Sequence, residues 1–123
     1  GRTLTVVALD GPRLLGYGSL HRTEASWTRH VGEIRLIVGG EGRGGGLGRV
    51  LASEIYSVAT LLGLRKLSAQ MTLDQAGARA TFERLGFKPE ALLADWVLDA
   101  QGRTRDLVIM AYDLTGHTDT VDV

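Results

Sequence analysis

Hydrophobic and polar positions alternate through the first forty residues in a way that predicts three strands. TLTVVAL at 3–9 is β-branched and apolar, DGP at 10–12 signals a turn, and RLLGYGSLHR at 13–22 resumes as a second strand, so the two form a hairpin. Residues 23–30 read as a polar connection and VGEIRLIV at 31–38 as a third strand. The period then changes. Leu47, Val50, Leu51, Ile55, Val58, Ala59 and Leu62 recur at spacings of three and four, a single apolar stripe on a helix that Gly63 is placed to end. KLSAQMT at 66–72 alternates again and suits a half-buried strand. A second helix follows, with Asp74 as its cap, Ala78, Phe82 and Leu85 on one face, and Gly86 closing it. ALLADWVL, a turn at DAQG, and DLVIMAYDL read as a last antiparallel pair, and TGHTDTVDV at 115–123 as a frayed tail. With no internal repeat, linker or low-complexity tract, the pattern predicts one α/β domain over residues 1–123.

Composition narrows what such a domain does. Fourteen basic and fourteen acidic side chains cancel, which gives no support for nucleic-acid binding. The absence of cysteine removes disulfides, a thiolate nucleophile and cysteine-bound metal. The three histidines, His21, His30 and His117, include no pair at helical ligand spacing, so no metal site is expected. No apolar run approaches the ~20 residues needed to span a bilayer, and no basic segment precedes an apolar one as in a secretory signal. The expected compartment is the cytoplasm. A chain beginning at Gly1 without methionine reads as a trimmed or processed piece.

The chemistry concentrates in VGGEGRGGGLGRVL, residues 38–51, which holds seven of the 17 glycines. Strand, glycine-rich turn and helix start, in that order, make an anion site: the first N–H groups of a helix lack internal partners and carry the positive end of its dipole. Gly44, Gly45, Gly46 and Gly48 let the backbone approach a phosphate, and Arg43 and Arg49 add charge-assisted contacts. A P-loop is excluded because Arg49, not lysine, follows Gly48. The G-x-G-x-x-G at Gly40, Gly42 and Gly45 follows an antiparallel meander and lacks a suitably placed acid, which argues against a dinucleotide fold.

The stretch resembles the GNAT acetyltransferase superfamily. The cofactor signature Arg/Gln-x-x-Gly-x-Gly/Ala is met by Arg43, Gly46 and Gly48. HVGEIRLIV looks like the family's fourth strand, QAGARATFERLGF like its second motif, with Ala78, Gly86 and Phe87 in place, and DLVIMAYDL like its closing strand. The likeness runs from about residue 3 to residue 114. It implies a mixed, mostly antiparallel sheet of about six strands with two main helices, lacking the family's first strand and first two helices before Thr3. It also implies acetyl-CoA as cofactor. Backbone groups of Leu36, Ile37 and Val38 would pair with the pantetheine arm, and the amides of Arg43, Gly44, Gly45, Gly46, Leu47, Gly48 and Arg49 would hold the pyrophosphate. Gln75, Ala78 and Phe82 would line the far side of the thioester, in a wedge between splayed strands.

The departures bear on catalysis. Gln75 stands where asparagine is usual, and Phe82 where many members carry a tyrosine that protonates the departing thiolate. An alkylamine with a pKa near 10.4 needs a base before it attacks, whereas a thiol with a pKa near 8.5 leaves tolerably unaided. Glu33, on the strand feeding the glycine loop, is the expected base. Alternation places it opposite Ile34 and Leu36, toward a cleft where burial would raise its pKa. It is equally suited to pair with Arg35. His30 is a second candidate base and Tyr112 a second candidate acid, with surface and core roles respectively as the simpler readings. Trp27 and Trp96 fit an acceptor channel or partly buried packing, and Arg103 and Arg105 a solvated hairpin. The resulting expectation is an N-acetyltransferase acting on a small-molecule or protein amine, its oxyanion held by the Val38 N–H. A non-catalytic coenzyme A-binding module is the alternative, and a nucleotide-binding regulatory domain a third. An exposed sheet edge makes a homodimer an option.

Overall fold

The computed structural model describes residues 2–39 and 46–115. The elements run β1 (Arg2–Asp10), β2 (Arg13–Arg22), β3 (Val31–Val38), α1 (Leu47–Leu61), β4 (Lys66–Thr72), α2 (Ala76–Arg84), β5 (Lys88–Leu98) and β6 (Thr104–Asp113). The strands form one sheet in the order β1-β2-β3-β4-β6-β5, antiparallel at every junction except β3–β4. Parallel neighbours need a long crossover, which α1 supplies. The predicted α/β, mostly antiparallel sheet of six strands with two helices is what forms. The predicted tail lies outside the described residues beyond Thr115.

Both helices share one face. On α1 the buried positions are Leu51, Ala52, Ile55 and Ala59; Leu51, Ile55 and Ala59 lie on the predicted stripe, Ala52 lies outside it, and the predicted Val50 and Leu62 are exposed. Ala52, Ile55 and Ala59 pack on Leu20, Ile34, Leu67, Ala69 and Met110 of the sheet. Gly18 makes this closeness possible, since a Cβ there would lie 2.7 Å from Ile55 Cδ1. α2 buries only Phe82, edge-on to Phe87 at 5.0 Å. Tyr56 of α1 stacks on Tyr112 of β6 at 4.6 Å, and its hydroxyl donates to the Leu85 carbonyl at the end of α2. Burial, with the Tyr112 hydroxyl nearby, pushes the Tyr56 phenol up to about 12.

Two local expectations change. Gln75, not Asp74, occupies the cap position of α2, without a side-chain cap bond. The Gln75 amide oxygen instead accepts the Thr72 N–H at 2.9 Å, folding the turn back on the end of β4. Asp74 turns away toward Arg105, 3.5 Å off. A Thr72 side-chain hydrogen bond, then the residue's own backbone N–H, hold its carboxyl below the usual range. Arg105 is correspondingly no free hairpin charge, since its Nε also donates to Asp99 at 3.0 Å. The second correction is the length of β5, which begins at Lys88 and takes in Pro89. An edge strand tolerates proline because one side of it needs no ladder bonds. Bulges at Pro89/Ala91 and Leu93/Val97 absorb the irregularity.

Candidate active site

The site originates in a short ladder. β3 and β4 share three register pairs, Val31↔Lys66, Gly32↔Leu67 and Glu33↔Ser68. From there β3 follows β2 as far as Gly16↔Val38, β4 follows β6 as far as Thr72↔Leu107, and the parallel ladder stops. The antiparallel ladders continue while the parallel one ends, so the sheet opens into a wedge at the carboxyl ends of its two parallel strands. Gly16 fixes one side of it. A Cβ there would lie 2.7 Å from the Ile37 carbonyl oxygen, so only glycine lets β2 hold the second half of β3 so closely. The Gly39 N–H extends this pairing to the Leu15 carbonyl at 2.8 Å.

Both helices start at the open end of the wedge, α1 after the glycine run and α2 four residues beyond β4. Neither has an acidic residue in its first turn nor a side-chain cap bond, so the dipole and the early N–H groups of each remain available to an anion. Gly46 is the cap residue of α1, with φ of +80° in the region only glycine enters freely. Among the described residues a Cβ on Gly48 would meet only Val38 Cγ2, at 3.9 Å. Arg49 is exposed in the first turn. Arg43, Gly44 and Gly45 lie outside the described residues. Leu36 turns to the helix side and Ile37 to the opposite side, 53% exposed, while Val38 is half-buried at the wedge. Gln75 stands beside the end of β4, and Ala78 packs on the core. Phe82, 8% exposed, belongs to the core cluster.

The face opposite the helices carries the polar chemistry. Residues in register share a face, and one row crosses the sheet as Thr3, His21, Glu33, Ser68, Ala111 and Lys88. Glu33 and Ser68 are the last parallel pair, so Glu33 stands at the apex of the wedge. A cavity of about 350 Å³ opens at that point, lined by His21, Arg22, Thr23, Thr28, Val31, Gly32, Glu33 and Ser68. The Glu33 side chain is 25% exposed and accepts a hydrogen bond from Arg35 Nε at 3.1 Å. Glu33 thus both faces the cavity and pairs with Arg35.

The other candidates separate. His30 is exposed, and its carbonyl accepts the N–H groups of Arg65 and Lys66, anchoring the start of β4. Tyr112 is stacked in the aromatic cluster. Trp27 and Trp96 are 86% and 66% exposed and pack on nothing that buries them. Sequence reasoning missed His21, Ser19 and Ser68. Alternation alone places His21 and Ser19 on one face, but only the β2–β3 register sets His21 opposite Glu33. Among the described residues no three His, Cys, Asp or Glu side chains group as metal ligands, and no helix is long and apolar enough to cross a membrane.

Known structures carry the same arrangement. The chain superposes on the ribosomal-protein-alanine N-acetyltransferase of Brucella melitensis with a TM-score of 0.80 and 27% identity, covering 89% of this chain and 67% of that one. The Salmonella typhimurium protein yncA, solved with its cofactor acetyl-CoA, matches at 0.82 and 25% identity, over 97% and 68% of the two chains. A GNAT-family protein from Desulfovibrio desulfuricans matches at 0.80 and 27%, over 91% and 69%. No curated protein matches the sequence significantly. The family described as acetyltransferase (GNAT) matches residues 1–87, which include the wedge, the glycine run and both helices. The chain belongs to the GNAT acetyltransferase family and is an acetyl-CoA-dependent acyltransferase.

Proposed function

We infer that the protein transfers the acetyl group to a primary amine by direct attack, with Glu33 accepting the amine proton. One observation carries this reading: the wedge ends at the Glu33–Ser68 pair, and a cavity opens there on the face opposite the helices. Cofactor and acceptor thereby approach one point from two sides. Acetyl-CoA, when bound, supplies the activated thioester. The first turn of α1, Gly46 to Arg49, holds its phosphates together with Arg43, Gly44 and Gly45. Leu36, Ile37 and Val38 line the arm along β3, and Gln75 borders it from the far side. Glu33 takes one proton from the acceptor ammonium, so that the neutral nitrogen attacks the thioester carbon, the carbon–sulfur bond breaks with its electron pair leaving on sulfur, and the second proton of the new amide nitrogen passes to the thiolate. Arg35, which holds one Glu33 oxygen, fixes the carboxylate without blocking the other.

The cavity of about 350 Å³ supports an acceptor with a slender reactive end, the amine of a small metabolite or antibiotic or of a protein lysine or N-terminus. Calorimetric titration with acetyl-CoA, followed by an amine screen, tests the reading. Glu33→Gln should keep acetyl-CoA affinity within about twofold and lower kcat/KM by about 100-fold, the range of a lost general base. A second reading, coenzyme A binding without turnover, is favoured by Phe82, which sits in the core and has no proton to give a departing thiolate. It predicts cofactor binding with no amine acetylated by the unsubstituted protein.

A further inference from the structure

His21 lies next to Glu33 in the polar row and lines the same cavity. Its ring is held at both nitrogens by hydroxyls: Nδ1 by Thr3 Oγ1 at 3.1 Å and Nε2 by Ser19 Oγ at 2.9 Å. Ser19 is only 6% exposed, whereas Thr3 lies on the exposed edge strand β1. A hydroxyl either donates or accepts, so this arrangement suits a neutral imidazole, with one N–H, and an imidazolium, with two, without breaking either bond. A lysine or arginine neighbour would have favoured the neutral ring alone, and a carboxylate the cation alone. The hydroxyl pair leaves both states open and keeps the ring plane fixed.

We propose that His21 is a positioning residue of the acetyl-transfer site that relays the acceptor's proton from Glu33 to solvent. The proposal rests on the reading of Glu33 as base. The proton leaves the acceptor nitrogen for the Glu33 carboxylate, enters the ring at Nε2 through the Ser19 hydroxyl as the Nδ1 proton leaves through the Thr3 hydroxyl, and so exits at the sheet edge. Glu33 is thereby returned to its anionic form for the next turnover. The groups facing His21 are few. β3 presents Glu33 and Arg35, the latter already on Glu33. β2 adds Ser19 and the cavity-lining Arg22, and β1 adds Thr3. β4 adds Ser68, with Lys66 and its partner Asp113 of β6 one row away. Thr23 and Thr28 close the cavity from the β2–β3 loop, and among the described residues no helix covers this face.

Kinetics test this. In acetylation of an amine that turns over, His21→Asn should displace the acid limb of the kcat/KM profile, leave acetyl-CoA affinity unchanged, and be partly rescued by exogenous imidazole. An unmoved limb overturns the relay. Failure of the unsubstituted protein to bind acetyl-CoA overturns the underlying reading and the relay with it. That result is separable, because cofactor affinity is read without turnover and the relay is read from the pH profile.

Discussion

Glycine does two different jobs around the wedge, and substitution should separate them. At Gly46 the demand is conformational: φ is +80° and no described residue lies within 4 Å of a would-be Cβ. Gly46→Val should cost about 1–2 kcal/mol of stability through left-handed strain. It should also abolish measurable acetyl-CoA binding in calorimetry by moving the first turn of α1, and unchanged affinity would remove the role given to the loop. At Gly16 the demand is steric, from a backbone oxygen that cannot rotate away. Gly16→Ala should therefore cost about 1–3 kcal/mol, read as a lower urea midpoint, because β2 must back off β3. Phe82 shows how far a motif match carries. The sequence aligns it with a catalytic tyrosine, yet its ring is packed edge-on to Phe87, and Phe82→Ala should cost about 3–5 kcal/mol. Glu33 was legible because alternation fixes its face. His21 was not, because a face says nothing of a neighbour until the register across an eight-residue connection is known.

At the level of elements, periodicity predicted every helix and strand, and the ends show where local chemistry overrode it. Asp74 has the residue type of a helix cap, but Gln75 reaches back to the Thr72 N–H first, and Arg105 draws the carboxylate outward. Pro89 argues against a strand until β5 is seen to be an edge. The two helices are joined through Tyr56, whose hydroxyl reaches the last turn of α2. Its phenol, near 10 when unfolded, is raised to about 12 in the fold, so the folded state holds that proton more tightly. The stabilisation is therefore fully present below pH 10 and is lost as pH rises from about 10 through about 12. Urea unfolding across that window should show stability falling with pH, and Tyr56→Phe should flatten the fall. An equal slope in both proteins would mean that other groups dominate.

Across the whole molecule, the sheet order was the part least accessible from sequence. A strand's own pattern carries its faces but not its neighbours, and β6 inserts between β4 and β5 without any local sign. The family resemblance, rather than periodicity, supplied the splayed strands. That splay has a mechanical meaning. The molecule is two antiparallel ribbons, β1-β2-β3 and β4-β6-β5, sewn together by three stitches of parallel ladder and a helical strap. Such a seam is the natural place for the protein to breathe. A ligand lying in the wedge spans both ribbons and acts as a rivet. At one hundred times its Kd, acetyl-CoA should add about 2.7 kcal/mol to unfolding and raise Tm by several degrees. Amide exchange should slow most in Ile34–Val38 and Ala69–Thr72, the two lips of the opening, and least in the β1–β2 hairpin. An evenly spread slowing would mean that the ribbons already move as one body, and that the seam is as stiff as the cloth.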